Sequence, residues 1–363
     1  MSSQPFPSAE YELISRLQSI LGNELGEYYQ TGIGDDAAVR SDRNGNQLVI
    51  TTDLSVDEVH FSRTYMTMEE IGYRAMVSNI SDCAAMGALP DSAFIQLVFP
   101  DTVECDATSV EALYRGFGEA CRAWQFPVAG GDLSRGRQWV IGITLIGRIP
   151  EGGRAMLRKG AQPGDRIWVS GIPGRSAAGL ALLQARGRKY GDSRFNSVVQ
   201  AHIRPVPRVE LGQLLARNEQ VHAMMDLSDG LSKDCRTLGF ENGCDIIVRA
   251  DASHLPVEMV QLSRELSQPW SDWFYHGGED YELLFTAAPA FDPSMYAGAD
   301  GGCRFVCVGE CRAGSGALLV DDQGVLTPLN VRGYDHVGAL LQQAERTAIL
   351  RETSDAPAGA AGS

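Results

Sequence analysis

Residues 78–87 read Ser-Asn-Ile-Ser-Asp-Cys-Ala-Ala-Met-Gly, and they close a segment that begins at Glu69. The segment reads as an alanine-containing helix from Glu69 to Met86, stopped by Gly87. Ser78 and Asn79 precede Asp82 by four and three residues, so the three polar side chains share one face. Ala84, Ala85 and Met86 flank that stripe with small or apolar groups. A carboxylate in such company belongs to a close-packed site rather than to a solvated helix face.

Outward from this helix the chain alternates. A hairpin turn at Asn44-Gly45-Asn46 leads into a strand from Leu48 to Asp53. Downstream come a strand over Ala93 to Phe99, a helix over Val110 to Trp124 and a strand over Trp139 to Ile149. Ser8 to Leu21 reads as a helix, because Leu13, Ile14, Leu17, Ile20 and Leu21 fall on one face. Gly152-Gly153 and the stretch Lys159 to Asp165 break the composition, and we place a domain boundary there. A strand at Arg166 to Ser170 and helices at Ser176 to Ala185 and Arg208 to Arg217 follow, and the alternation runs to about Leu341. The expected class is α+β or α/β. A length of 363 residues suits two domains, which we expect at 1–150 and 151–342. The tail, 343–363, turns rich in Ala, Gly and Ser from Glu352 and reads as disordered at its end.

Composition limits the function. Hydrophobic residues make up 44%, enough for a sizeable core, and no run reaches the ~18 apolar residues of a membrane span. Met1 to Glu10 lacks the pattern of a signal peptide, so a cytoplasmic location and no membrane partner are expected. The eight cysteines include no Cys-x-x-Cys pair and read as thiols in a reducing compartment. Cys303, Cys307 and Cys311 sit four apart in a strand-like stretch, a spacing that puts them on one face. The net charge of −15 argues against nucleic acid. It also requires cations wherever this protein handles an anion.

Ligands for such cations recur along the chain. Four segments place aspartate in or beside a tight, mostly glycine-containing turn at the end of an apolar run. They are Gly32-Ile33-Gly34-Asp35-Asp36, Thr51-Thr52-Asp53, Gly130-Gly131-Asp132 and Asp226-Leu227-Ser228-Asp229-Gly230. Asp82 is a fifth site, and His276-Gly277-Gly278-Glu279-Asp280-Tyr281-Glu282 a further cluster. Magnesium is hard, prefers carboxylate oxygens and keeps positions for water and substrate phosphate. Aspartate is short enough for a loop to fix it, and glycine lets backbone approach a phosphate. His60 follows an acidic run, and Arg158 lies in a basic patch, Arg154 to Lys159, suited to a phosphate clamp. The P-loop pattern, the protein-kinase set, His-Glu-x-x-His and Gly-x-Ser-x-Gly are all missing from the sequence. Gly171-Ile172-Pro173-Gly174 is only a faint dinucleotide loop, with a proline and the wrong spacing.

In order and combination these motifs resemble the bacterial thiamine-monophosphate kinases, of the superfamily of aminoimidazole ribonucleotide synthetase and selenophosphate synthetase. The resemblance runs from about Glu10 to about Val337. It is carried by Gly-Ile-Gly-Asp-Asp-Ala-Ala-Val at 32–39, Thr51-Thr52-Asp53, His60-Phe61 and Asn79 to Ala88. Gly130-Gly131-Asp132, Asp226 to Gly230, Gly277 to Leu284 and Gly333-Tyr334-Asp335-His336 complete it. It implies phosphorylation of thiamine monophosphate by ATP, giving thiamine diphosphate, with several magnesium ions per site. Asp36, Thr51, Thr52, Asp53, Asp82, Asp132, Asp226 and Asp229 would bind metal. Gly131, Asp132, Arg158 and Ser228 would contact ATP, and His60, Glu279 and Tyr334 the thiamine substrate. Asp35 is left as a turn residue. The resemblance also implies the two-domain aminoimidazole ribonucleotide synthetase-like fold and a homodimer whose N-terminal sheets pair.

Two departures fall at the edge of the substrate site: the acidic Val56-Asp57-Glu58-Val59-His60, and Val337 where phenylalanine is usual. No nucleophile with an activating base stands out, which points to direct in-line transfer. The selenophosphate branch carries an N-terminal cysteine, whereas the first here is Cys83; the hydrogenase-maturation branch ends in cysteine, whereas this chain ends in Ser363. A non-catalytic acidic metal binder is the remaining alternative.

Overall fold

The computed structural model describes residues 7–22, 25–101, 106–189, 191–249, 252–320, 323–329 and 337. The expected tail and Tyr334 lie outside the described residues. Helix α1, Ala9–Leu21, belongs to a unit of its own and is started by Ser8, whose hydroxyl accepts from the Tyr11 amide. The second unit, 24–333, holds every other element described below.

Its first part runs β1 (Tyr29–Thr31), β2 (Ala38–Ser41), β3 (Gln47–Val56), α2 (Met68–Ala85), β4 (Leu89–Pro100), α3 (Ala107–Ala123), β5 (Val128–Gly136) and β6 (Val140–Arg148). The strands form one mixed sheet of order β1-β2-β3-β6-β4-β5. The second part runs β7 (Arg166–Ser170), α4 (Arg175–Arg186), α5 (Asn196–Ile203), α6 (Val209–Ala216), β8 (Val221–Leu227) and α7 (Leu231–Asn242). It continues with β9 (Cys244–Val248), α8 (Val257–Leu266), α9 (Trp270–His276), β10 (Glu282–Ala287), β11 (Phe305–Ala313), β12 (Ala317–Val320) and β13 (Leu326–Pro328). These strands make a seven-stranded mixed sheet of order β13-β12-β9-β11-β7-β10-β8. Among the described residues, no helix is long and apolar enough to cross a membrane.

Helix α2 is the pivot. A capping box starts it: Thr67 accepts from the Glu70 amide, and the Glu70 carboxylate accepts from the Thr67 amide. The helix is buried almost all round, because it packs on β3, β4 and β6 of the first sheet and also meets β8 and β10 of the second. Its composition follows from that position. At Gly72 a Cβ would strike the backbone of Leu113, and at Gly116 of α3 it would strike that of Glu69. At Gly212 of α6 a Cβ would strike the backbone of Ala84. Small residues let α2 approach both α3 and α6 closely, and the same helix carries the buried Ser78, Asn79 and Ser81.

Three sequence expectations change. Thr51-Thr52-Asp53 does not close its strand beside a turn, since β3 runs on to Val56, and Gly130-Gly131-Asp132 is not a turn but lies inside β5. Glycine at 131 serves close approach, because a Cβ there would run into the backbone of Ile95 on the neighbouring strand. Cys303, Cys307 and Cys311 do not share a face. Cys307 is exposed, whereas Cys303 and Cys311 are buried. The register against β7 slips between Cys307 and Gly309, and a slip of one residue reverses the alternation of a strand.

Candidate active site

Three carboxylates from distant parts of the chain converge. Asp36 comes from the loop before β2, Asp82 from the last turn of α2, and Asp226 from the end of β8. One oxygen of each lies within 4.8 Å of the others. The surrounding hydroxyls orient them. Thr51 Oγ1 donates to Asp82 Oδ2 at 2.5 Å, and Ser81 Oγ donates to Asp226 Oδ2 at 2.8 Å. Ser228 beside Asp226, and Ser78 beside Asp53, also favour the charged carboxylates. Arg158, in the segment between β6 and β7, donates to Asp36 Oδ1 through Nε at 2.9 Å and Nη2 at 2.5 Å.

The cluster is electrostatically costly. Burial pushes the carboxyl of Asp226 up to about 7, and Asp36 adds to the shift. Burial raises Asp36 and Asp53 as well, and Asp82 well above the usual carboxylate range, with Asp53, Asp226 and Asp36 repelling it further. Desolvation and like charge both favour the protonated form. Burial works against the charge of Arg158, but neighbouring Asp36 more than offsets it and holds the guanidinium ionised. A divalent cation fits the donor set on its chemistry: hard oxygens, buried, mutually repelling. It also fits one orphaned atom, because Asp36 Oδ2 is buried without a hydrogen-bond partner.

Asp53 and Asp229 stand next to the group and act on its charges. Asp229 pairs with Lys233 Nζ at 2.7 Å. Thr52 and Asp132 are placed apart from it. Strand alternation turns Thr52 to the opposite face of β3 from Thr51, where its hydroxyl lies 3.2 Å from that of Thr144. Asp132 lies exposed on β5, in one cross-strand row with Gln96, Gly142 and Leu54. Three strand spacings separate it from β3, about 14 Å. Gly131 shares that edge strand. Asp35 behaves as a turn residue: it accepts from the amides of Asp36 at 3.0 Å and Arg158 at 3.3 Å.

A cavity of about 490 Å³ is lined by His60, Tyr65, Gln184, His202 and Glu279 among others. His60 Nδ1 accepts from the Val56 amide at 3.1 Å, which leaves Nε2 as the donor of the neutral ring. Glu58 and Glu279 line the cavity at positive φ, 61° and 64°, and Tyr281 follows at 52°. Each such non-glycine residue costs on the order of 1–3 kcal/mol, a strain that collects at functional sites.

One motif divides its carboxylates among three tasks. Glu279 lines the cavity. Asp280 accepts from the amides of Gly174 at 2.5 Å and Ser176 at 2.8 Å, and so caps α4. Glu282 takes both arms of Arg208 at 2.6 Å. The cap disposes of the faint dinucleotide loop at 171–174, since the Gly174 amide already holds a carboxylate and the Gly171 amide donates to the Arg304 carbonyl. Sequence reasoning passed over Arg74, Lys233 and Asp234. The signals were modest: Lys233 lies four residues after Asp229 on the start of α7, and Asp234 accepts from the amides of Asp229 and Gly230.

Comparison with known proteins agrees with this geometry. Residues 34–149 match the family described as AIR synthase related protein, N-terminal domain, and residues 162–316 match its C-terminal domain. A thiamine-monophosphate kinase of Salmonella typhimurium is 36% identical over 330 residues, covering 90% of this chain and 98% of that protein. One from Escherichia coli K12 is 35% identical over 331 residues, with the same coverage of both chains. A structure described as AaThiL complexed with AMPPCP and TMP superposes with a TM-score of 0.78 at 30% identity, covering 90% of this chain and 96% of that one. The two-domain fold, the convergent carboxylates and this likeness over nearly the whole length of its relatives place the chain in the thiamine-monophosphate kinase family of the AIR synthase related proteins.

Proposed function

We propose that the protein transfers the γ-phosphoryl group of ATP directly to thiamine monophosphate, releasing ADP and thiamine diphosphate. The observation that carries this reading is the convergence of Asp36, Asp82 and Asp226 beside Arg158. Three buried carboxylates with raised pKa values have little use except to hold cations. Asp36, Asp82 and Asp226 would hold magnesium, with Asp53, Asp229 and Thr51 adjoining. When bound, magnesium would supply the positive charge that lets a triphosphate and a second phosphate approach each other. Arg158 exchanges Asp36 for a phosphate oxygen, and Ser228 adds a donor at the end of β8. His60 and Glu279 hold the acceptor. The acceptor phosphate is already anionic near neutral pH, so it needs no general base. Its oxygen bonds to the γ-phosphorus as the bond to the β–γ bridging oxygen breaks, and ADP leaves with that electron pair.

The assay is magnesium-dependent ADP formation with thiamine monophosphate, thiamine or an unrelated phosphate ester as acceptor. We expect turnover with the first alone. Equal ADP release with all three, or none with any, overturns the reading. A phosphoryl-enzyme trapped by isotope exchange overturns direct transfer.

We further assign residues 1–150 to metal, ATP and dimer contacts, and 151–342 to completing the substrate site. Homodimer formation accounts for Asp132 and Gly131, which sit on an exposed edge strand away from the cluster. Leu54, Leu133 and Val128 are exposed on the same sheet. A partner covering it would bury them and bring an Asp132 to each site. Mixing Asp132→Asn and Asp82→Asn proteins under exchange should then regain about a quarter of wild-type activity, because half the dimers carry one intact site. No recovery would place Asp132 in its own protomer's site.

A further inference from the structure

Arg74 lies on α2, two turns before Asp82, with its side chain 5% exposed. Its Nη1 donates to the backbone carbonyl of His60 at 2.8 Å. Its Nη2 stands 2.6 Å from Glu279 Oε2, an ion pair that is not an aligned hydrogen bond, and its Nε is buried without a partner. A buried guanidinium that leaves donors unpaired is a poor stabilising device; an apolar side chain of similar volume would pack at less cost. Its two contacts, however, reach both lips of the cavity. One lip is the turn that carries His60, from the first part of the chain. The other is the loop after α9 that carries Glu279. No other described ion pair reaches Glu279, and both lips hold residues at positive φ.

We propose that Arg74 is a positioning residue for the acceptor site: it clamps the His60 turn to Glu279 and fixes the Glu279 carboxylate to face the cationic ring of the substrate. This rests on the reading of the cavity as the thiamine monophosphate site. With Oε2 engaged by Arg74, Oε1 is the oxygen left for the ligand. The clamp also holds the carboxylate at the wall of a half-enclosed cavity, where a cationic ring gains most from a fixed anionic partner. Arg74 touches neither ATP nor the metal ligands, so its effect should fall on one substrate.

The test compares Arg74→Gln, Arg74→Lys, Glu279→Gln and the Arg74→Gln/Glu279→Gln double variant. Each is measured for KM with both substrates and for thiamine monophosphate affinity by calorimetry without ATP. Arg74→Gln should raise KM and Kd for thiamine monophosphate about tenfold, with KM for ATP within about twofold. Arg74→Lys keeps the charge but cannot span both contacts, and should fall between. The double variant should bind no worse than Glu279→Gln alone, because Arg74 acts through that carboxylate. Equal losses for both substrates, or additive losses in the double variant, assign Arg74 a merely structural role and overturn the proposal. An unaffected Glu279→Gln overturns the clamp together with the placement of the substrate. Loss in Glu279→Gln without loss in Arg74→Gln overturns the clamp alone. Should Arg74→Gln fail to fold, Arg74→Lys decides, and wild-type KM values in it overturn the proposal.

Discussion

Asp82→Asn should lower kcat/KM by about three orders of magnitude, roughly 4 kcal/mol of transition-state stabilisation, while raising the melting temperature of the metal-free protein. The two effects have one cause. Asp82 is held among Asp36, Asp53 and Asp226, and burial with their repulsion lifts its carboxyl well above the usual range. Folding must either trap a desolvated charge or take up a proton that the unfolded chain lacks at neutral pH. Asparagine does neither. It keeps the shape and an oxygen that can still accept from Thr51 Oγ1, so packing around α2 survives. We expect a gain of about 1–2 kcal/mol, seen as a rise of a few degrees in chelator. What asparagine cannot supply is the anionic oxygen, so added magnesium should stabilise the variant far less than the wild type. Turnover within tenfold of wild type at saturating magnesium would remove Asp82 from the machinery. A variant melting below wild type in chelator would show that the carboxylate stabilises the fold on its own.

Metal-free protein should melt higher near about pH 6 than near about pH 8, and magnesium should reverse that order. The sign follows from the shifts. An aspartate whose folded pKa exceeds its unfolded value binds more protons in the folded state between the two. Its contribution to stability is therefore greatest at low pH and is lost as pH rises. For Asp226 the window runs from the ordinary carboxylate value of 3.8 to about 7. Asp36, Asp53 and Asp82 are shifted in the same direction by burial and mutual repulsion. A cation bound there favours the ionised carboxylates, so its apparent affinity should climb over the same range, and binding should release protons. We expect the gain in melting temperature on adding magnesium to be several degrees larger at the higher pH, about 1–2 kcal/mol. Scanning calorimetry with and without chelator reads the first effect. Titrations in two buffers of different ionisation enthalpy read the second. A magnesium shift independent of pH would mean that these carboxylates are not the ligands.

The elements were legible wherever periodicity was strong. The helix expected over Glu69 to Met86 runs Met68–Ala85, and the strand expected over Arg166 to Ser170 has those bounds. Reading failed where glycine or cysteine spacing stood in for tertiary information. Gly130-Gly131 suggests a turn, because glycine permits one; the backbone of Ile95 instead requires its lack of a side chain within a strand. The cysteine spacing suggests one face, and a register slip divides it. Arg74 gave no signal at all, since an arginine in a helix is ordinarily a solvated one.

The sequence by itself determined which groups are available: short carboxylates in fixed local frames, a helix too small-sided and too polar at its centre to face solvent, and a net charge of −15 that calls for cations. Those properties are local or summed, so they survive without coordinates. Only the tertiary structure decided which carboxylates meet. Asp36, Asp82 and Asp226 converge because α2 lies between two sheets, whereas Thr52 is turned away by strand alternation and Asp132 is carried to a sheet edge. Burial, mutual repulsion and the reach of Arg74 to both lips of a cavity depend on distances between residues far apart in the chain. No pattern along the sequence encodes those distances one residue at a time.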